Sequence, residues 1–184
     1  MTPCPIAPPF LRIHGAEVYA PEPRGTEDLL LCGGTLLAVG GDLPLPGDWV
    51  QEVDGRGLVA VPGFIDGHVH LQGAGGEGGF HTRTPELKLG DAFRAGVTSV
   101  VGCLGTDHTT RTLTGLLAKA RGLEVEGLST WILTGAYAVP TPTLTGDVER
   151  DLLLIDKVIG VGEVAISDHR STQPTVPELA RLAS

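Results

Sequence analysis

Residues 61–70 read Val61-Pro62-Gly63-Phe64-Ile65-Asp66-Gly67-His68-Val69-His70, an apolar run released by Gly67 into two histidines one residue apart. Side chains along a strand alternate between faces, so His68 and His70 can share one face while Val69 takes the other. Two imidazoles side by side make half a metal site: a catalytic ion of the zinc type takes about three protein ligands and keeps one position open. The H-x-H spacing alone is weak, because paired histidines also stand on exposed strands. The setting strengthens it. The run feeds the glycine-rich stretch 71–79, and parallel α/β folds place their active sites at such carboxyl-terminal strand ends.

Working downstream, the pattern becomes strand, loop, helix, repeated. Strands are expected at 63–70, 98–104, 130–136 and 158–166, each nearly continuous in apolar residues, as when both faces of a parallel sheet are buried. Helices are expected at 85–94 behind a Thr84 cap, at 111–122 behind a threonine pair, and at 147–157 behind Thr145-Gly146. A fourth begins at Val176, with Pro177 and Glu178 early and Arg181 late. Four β/α units are half of an eight-stranded barrel; an open doubly wound sheet is the alternative. Residues 73–79 are rich in glycine but lack the lysine and the immediate helix of a phosphate cradle.

Upstream, strand-like pieces at 10–19, 28–39 and 49–53 (continuing into 58–61) alternate with turn clusters at 21–25 and 44–48. The expected fold class is therefore α/β: a small antiparallel β-sandwich portion over 1–60, then about four β/α units of a (β/α)8 barrel over 61–184. So few strands with so little apolar surface are marginal alone.

Twenty-two acidic against thirteen basic side chains give a formal charge of −9, with no Lys/Arg cluster to track a phosphate backbone, which argues against nucleic acid as a partner. No run reaches the length of a bilayer span, and Met1-Thr2-Pro3-Cys4-Pro5 lacks the basic start of a signal peptide, so no membrane association is expected. Cys4, Cys32 and Cys103 are odd in number and far apart, which suits reduced thiols and small buried apolar residues in a cytoplasmic protein.

Polar groups recur at the expected strand ends: Gly75-Gly76-Glu77, Gly105-Thr106-Asp107, Thr134-Gly135-Ala136-Tyr137, and Glu163 with Ser167-Asp168-His169-Arg170. Together with Pro62–Asp66, Thr82-Arg83-Thr84-Pro85-Glu86, residues 95–102 and Val158-Ile159-Gly160-Val161, this text resembles the isoaspartyl (β-aspartyl) dipeptidases of the amidohydrolase superfamily. The likeness runs from about residue 58 to the end.

The resemblance implies a cytoplasmic metalloprotease that hydrolyses β-aspartyl dipeptides with two zinc ions and works as a homo-oligomer. It makes His68 and His70 ligands of the first ion and puts Glu163 where members carry a carboxylated lysine or a glutamate as the bridge. Lys157 is the weaker bridge, read as a last-turn cation with a solvated tip. Glu77 would receive the free amino group, Arg170 would grip a carboxylate bidentately, and Gly75, Gly76 and Thr106 would add hydrogen bonds. Tyr137 would donate to the oxygen that turns negative during attack; read without the family, it is as readily a strand-end aromatic closing the core. His81 and His108 are expected in solvent and His169 in local hydrogen bonding.

The resemblance also calls for two more histidines from a fifth and sixth strand and an aspartate base from an eighth. Only four such strands are expected here. The chain by itself is then expected to be inactive. The competing readings are a non-catalytic segment that at most binds metal, and another amidohydrolase, dihydropyrimidinase-like or deacetylase-like, that shares only the H-x-H strand.

Overall fold

A computed structural model describes residues 9–44, 47 and 49–184. The chain divides into two compact units, one up to Pro62 and one from Gly63. Cys4 and the turn residues Leu45, Pro46 and Asp48 lie outside the described residues.

The first unit is one five-stranded sheet. Its strands are β1 (Phe10–Tyr19), β2 (Pro23–Cys32), β3 (Thr35–Gly40), β4 (Val50–Asp54) and β5 (Val59–Ala60), in the order β3-β2-β1-β4, with β5 also on β1. The single strand expected at 28–39 is two. Gly33 and Gly34, with φ of 55° and 83°, form the two-residue turn of a hairpin, a place that requires positive φ twice and so selects Gly-Gly. Nor is the unit the antiparallel sandwich portion that alternation suggested: β4 and β5 both run parallel to β1, making the sheet mixed. Alternation reports that a strand is half buried and is silent about its direction.

The second unit carries a four-stranded parallel sheet in sequence order, β6 (Phe64–Val69), β7 (Val97–Gly102), β8 (Ser129–Thr134) and β9 (Val158–Val161). Helices α1 (Leu89–Arg94), α2 (Leu113–Val125) and α3 (Val148–Leu154) connect successive strands, and α4 (Val176–Ala183) follows β9. Two caps fall later than the sequence placed them: Thr112, two residues past the threonine pair Thr109-Thr110, accepts from the Gly115 N–H, and Asp147, one residue past Thr145-Gly146, from that of Arg150. Thr175 and Glu178 close a capping box on α4.

Helix α1 starts four residues later than expected, because the Thr84 hydroxyl is taken by the Ala74 N–H at 2.7 Å and residues 84–87 run beside 71–74 instead of coiling. Helix α3 ends at Leu154, so Lys157 is not a last-turn cation; it precedes β9, is buried, and donates to Glu124 and, at 3.1 Å, to the Thr130 carbonyl.

The core lies on one face of this sheet, where Val100, Ile132 and Val158 pack with Leu71 and Leu104 against Leu116, Ala120 and Leu123 of α2. Burial alternates along β8: Thr130, Ile132 and Thr134 are buried, Ser129 and Trp131 exposed. Continuous burial of both faces, as the apolar runs suggested, is thus not observed. Strand β6 is an exposed edge, with Phe64 and Ile65 open to solvent, and Ile159 of β9 is exposed as well. Among the described residues no helix is long and apolar enough to cross a membrane.

Candidate active site

Every side chain that gathers here leaves the sheet at its carboxyl-terminal end. Strand β6 delivers His68 and His70, whose rings stand 5.6 Å apart, while Val69 between them packs against the core. Residue 163 follows β9. Its carboxylate is the hub of the cluster: Glu163 Oε2 lies 2.7 Å from His68 Nε2 and 3.4 Å from His70 Nε2. Gly105 lies close against His70: a Cβ there would stand 2.8 Å from the imidazole Cε1 and would displace the ring. Burial lowers the His70 pKa against the pull of Glu163, which favours the neutral imidazole that ligates metals.

Cys103 is the residue the sequence reading missed. The sequence assigns it to the core, and it is buried, yet its Sγ lies 3.9 Å from Glu163 Oε2. Burial and the neighbouring carboxylate push the thiol up to about 12. The ligating atoms of His68, His70, Glu163 and Cys103 all fall within 4.8 Å of one another. Two imidazoles, a carboxylate and a sulfur make a donor set suited to zinc and its neighbours. Lys157, held by Glu124 and Thr130, is not part of it.

Tyr137 follows β8; burial first, then the nearby Glu163 carboxylate, raises the phenol above its ordinary value. The Arg170 guanidinium lies over the Tyr137 ring, 5.6 Å from its centre. The bidentate edge of Arg170 is already used: Nε and Nη2 hold Asp168 at 2.9 and 2.8 Å, which raises the arginine and lowers the aspartate from their ordinary values. What remains is Nη1, and it donates to Glu77 at 2.6 Å. Glu77 and Arg170, read separately as holders of an ammonium and a carboxylate, therefore meet each other.

The loop that carries Gly75, Gly76 and Glu77 is held by a second residue the sequence reading passed over. Arg111, read there only as a helix start, is buried ahead of α2 and donates to three carbonyls, Gln72 at 3.2 Å, Ala74 at 2.9 Å and Gly75 at 3.3 Å. Asp107 braces Arg111 and also takes Arg83 and the Thr109 and Thr110 N–H groups; burial works against its charge, but these donors hold it well below the carboxylate range. A buried guanidinium with three carbonyl partners is legible only once the loop has folded over it.

His70, Gly75, Glu77, Thr106, Tyr137 and Arg170 line one cleft of about 100 Å³. A neighbouring hollow of about 320 Å³ shares Gly75, Glu77, Thr106 and Arg170 and adds Gly76, Phe80 and Arg83. The two together reach the scale of a small-molecule site, roughly 300 Å³ upward. His81 and His108 are exposed, and His169 is exposed with Nδ1 3.4 Å from Asp168.

No family model matches the chain. A β-aspartyl dipeptidase from Fervidobacterium islandicum AW-1 superposes with a TM-score of 0.89 at 53% identity, covering 94% of this chain and 47% of that one. A second structure of β-aspartyl dipeptidase from the same organism, in complex with the β-Asp-Leu dipeptide, gives 0.90 at 52%, covering 96% and 46%. An adenine deaminase from Deinococcus radiodurans is 42% identical over 64 residues, which are 34% of this chain and 12% of that protein. The chain spans about half the length of these solved structures.

Proposed function

We propose, from this chain's place among the β-aspartyl dipeptidases of the amidohydrolase superfamily, that it forms the first four β/α units of a barrel enzyme that hydrolyses β-aspartyl dipeptides. Residues 1–60 would then belong to a small β domain. His68, His70 and Glu163 would hold zinc, which when bound polarises a carbonyl and lowers the pKa of water. The donors present suit that ion.

The pairing of Glu77 with Arg170 carries the reading. A β-aspartyl residue is linked through its side chain, so its α-carbon keeps both a free ammonium and a free carboxylate. An α-aspartyl residue has only the ammonium there. Glu77 and Arg170 Nη1, 2.6 Å apart, offer the opposite charges at matching separation. Their own pair is half exposed and worth at most about 1 kcal/mol, so a substrate that engages both charges displaces little. Tyr137 would donate to the oxygen of the β-carbonyl as it becomes negative, a hydrogen bond worth about 3 kcal/mol in the transition state. Thr106 and the Gly75 and Gly76 backbone would orient the rest of the substrate.

The test is hydrolysis of β-Asp-Leu and α-Asp-Leu with added zinc, by the 184-residue chain and by a polypeptide of the relatives' length that contains it. The long form is expected to cleave the β-linked substrate only, and the 184-residue chain neither. Equal turnover of both substrates by the long form overturns the specificity. Turnover by the 184-residue chain overturns the need for further segments.

A further inference from the structure

Cys103 has no part in the reading above, yet its position is specific. Its N–H donates to the Val69 carbonyl at 3.0 Å, which sets it beside the strand that carries both histidines. It is 1% exposed, and its sulfur approaches the same carboxylate oxygen on which both imidazoles converge. Among the described residues its other hydrogen-bond partner is the Val69 carbonyl, a weak contact at 3.8 Å. A cysteine that merely filled the core would turn its sulfur towards the apolar side chains around Leu71 and Leu104. This one faces three nitrogen and oxygen donors.

We propose that Cys103 is a metal ligand, and that His68, His70, Glu163 and Cys103 form a four-donor set that favours zinc, cobalt or cadmium over magnesium and manganese. The proposal rests on reading the cluster as a metal centre and adds the donor that decides which metal. Two imidazoles and a carboxylate serve many divalent ions, whereas a thiolate is soft and selects against hard ones. Coordination breaks the S–H bond and releases its proton to solvent, one per ion bound, and the thiolate and Glu163 together offset the two positive charges.

The experiment is a cobalt titration of the chain in which Cys4 and Cys32 are replaced by serine, leaving Cys103 as the sole thiol. A near-ultraviolet sulfur-to-cobalt charge-transfer band that rises with the visible cobalt bands, is discharged by zinc and is untouched by manganese supports the proposal. Adding Cys103→Ser is then expected to abolish the charge-transfer band and weaken cobalt binding by at least the roughly 10–100-fold that an outer-shell partner costs. Visible cobalt bands without charge transfer in the parent chain leave the histidine–carboxylate centre standing and overturn the role of Cys103. No cobalt uptake by the parent chain overturns the metal centre and the ligand together. Because the parent chain decides both points, the proposal stays falsifiable even if Cys103→Ser fails to fold, which far-ultraviolet circular dichroism reveals.

Discussion

The candidate site has two halves held by different physics. His68, His70, Cys103 and Glu163 stand at the ends of hydrogen-bonded parallel strands, so their mutual distances follow from sheet register and from the core packed beneath. Glu77 sits on a glycine-rich loop and Arg170 beyond β9; the loop keeps its place through Arg111 and Asp107, and Arg170 through Asp168. The donor cluster therefore inherits the stability of the core. The Glu77–Arg170 pair inherits that of a polar network, which should open more readily than the sheet.

Core packing should control both halves, so the largest effect is expected there. Ile132→Ala removes a fully buried side chain from the centre of the sheet and should cost about 2–5 kcal/mol in urea denaturation. It should also weaken cobalt uptake, because β8 lies between the strands that bear Cys103 and Glu163. Arg111→Met should cost about 1.5–3 kcal/mol, the scale for hydrogen bonds to a charged group. Hydrogen exchange should then quicken in residues 72–77 with cobalt uptake unchanged; a variant that loses both together would show that the two halves are not independent.

Asp151 tests the brace behind β8. Burial works against its charge, but Thr134, Leu144 and Thr145 donate to it and leave its pKa below the ordinary carboxylate value. A carboxylate lowered on folding contributes stability that is present above its unfolded pKa, about 3.9, and lost as pH falls through the folded value. The urea midpoint should fall below about pH 4 more steeply in the parent than in Asp151→Asn, which at pH 7 should be less stable by about 1–3 kcal/mol. The smallest change in stability is expected for Glu77→Gln, within about 1 kcal/mol, because the pair it breaks is half exposed. In the long form the same substitution should erode the preference for β-Asp-Leu over α-Asp-Leu; retention of that preference would sink the assigned role of Glu77.

The two halves were not equally legible in the sequence. His-x-His at the end of an apolar run follows from strand periodicity, whereas Glu163 lies inside the run expected at 158–166 and is singled out as a ligand by the family resemblance, not by spacing. Cys103 gave no such signal, since a cysteine beside Leu104 reads as core until a neighbouring strand sets a carboxylate next to its sulfur. Arg111 was hidden for a similar reason: its partners are main-chain carbonyls, which every residue has, and only the loop's path turns three of them towards it. Thr84 looked like a helix cap and became a partner of Ala74, because two segments competed for one hydroxyl and the longer-range contact prevailed.

The sequence by itself determined the parallel strand–helix repeat, the start of α4 at Val176 with Pro177 and Glu178 early, and the shared face of His68 and His70. All of these depend on chemistry within a few residues. Only the tertiary structure decided that β4 and β5 run parallel to β1, that one face of the parallel sheet is covered by α2 while Trp131 on the other stays exposed, and that Glu77 and Arg170 meet. Strand direction, burial and ion pairing depend on which distant segments come to lie side by side, and local patterning carries no information about the neighbour until the chain has packed.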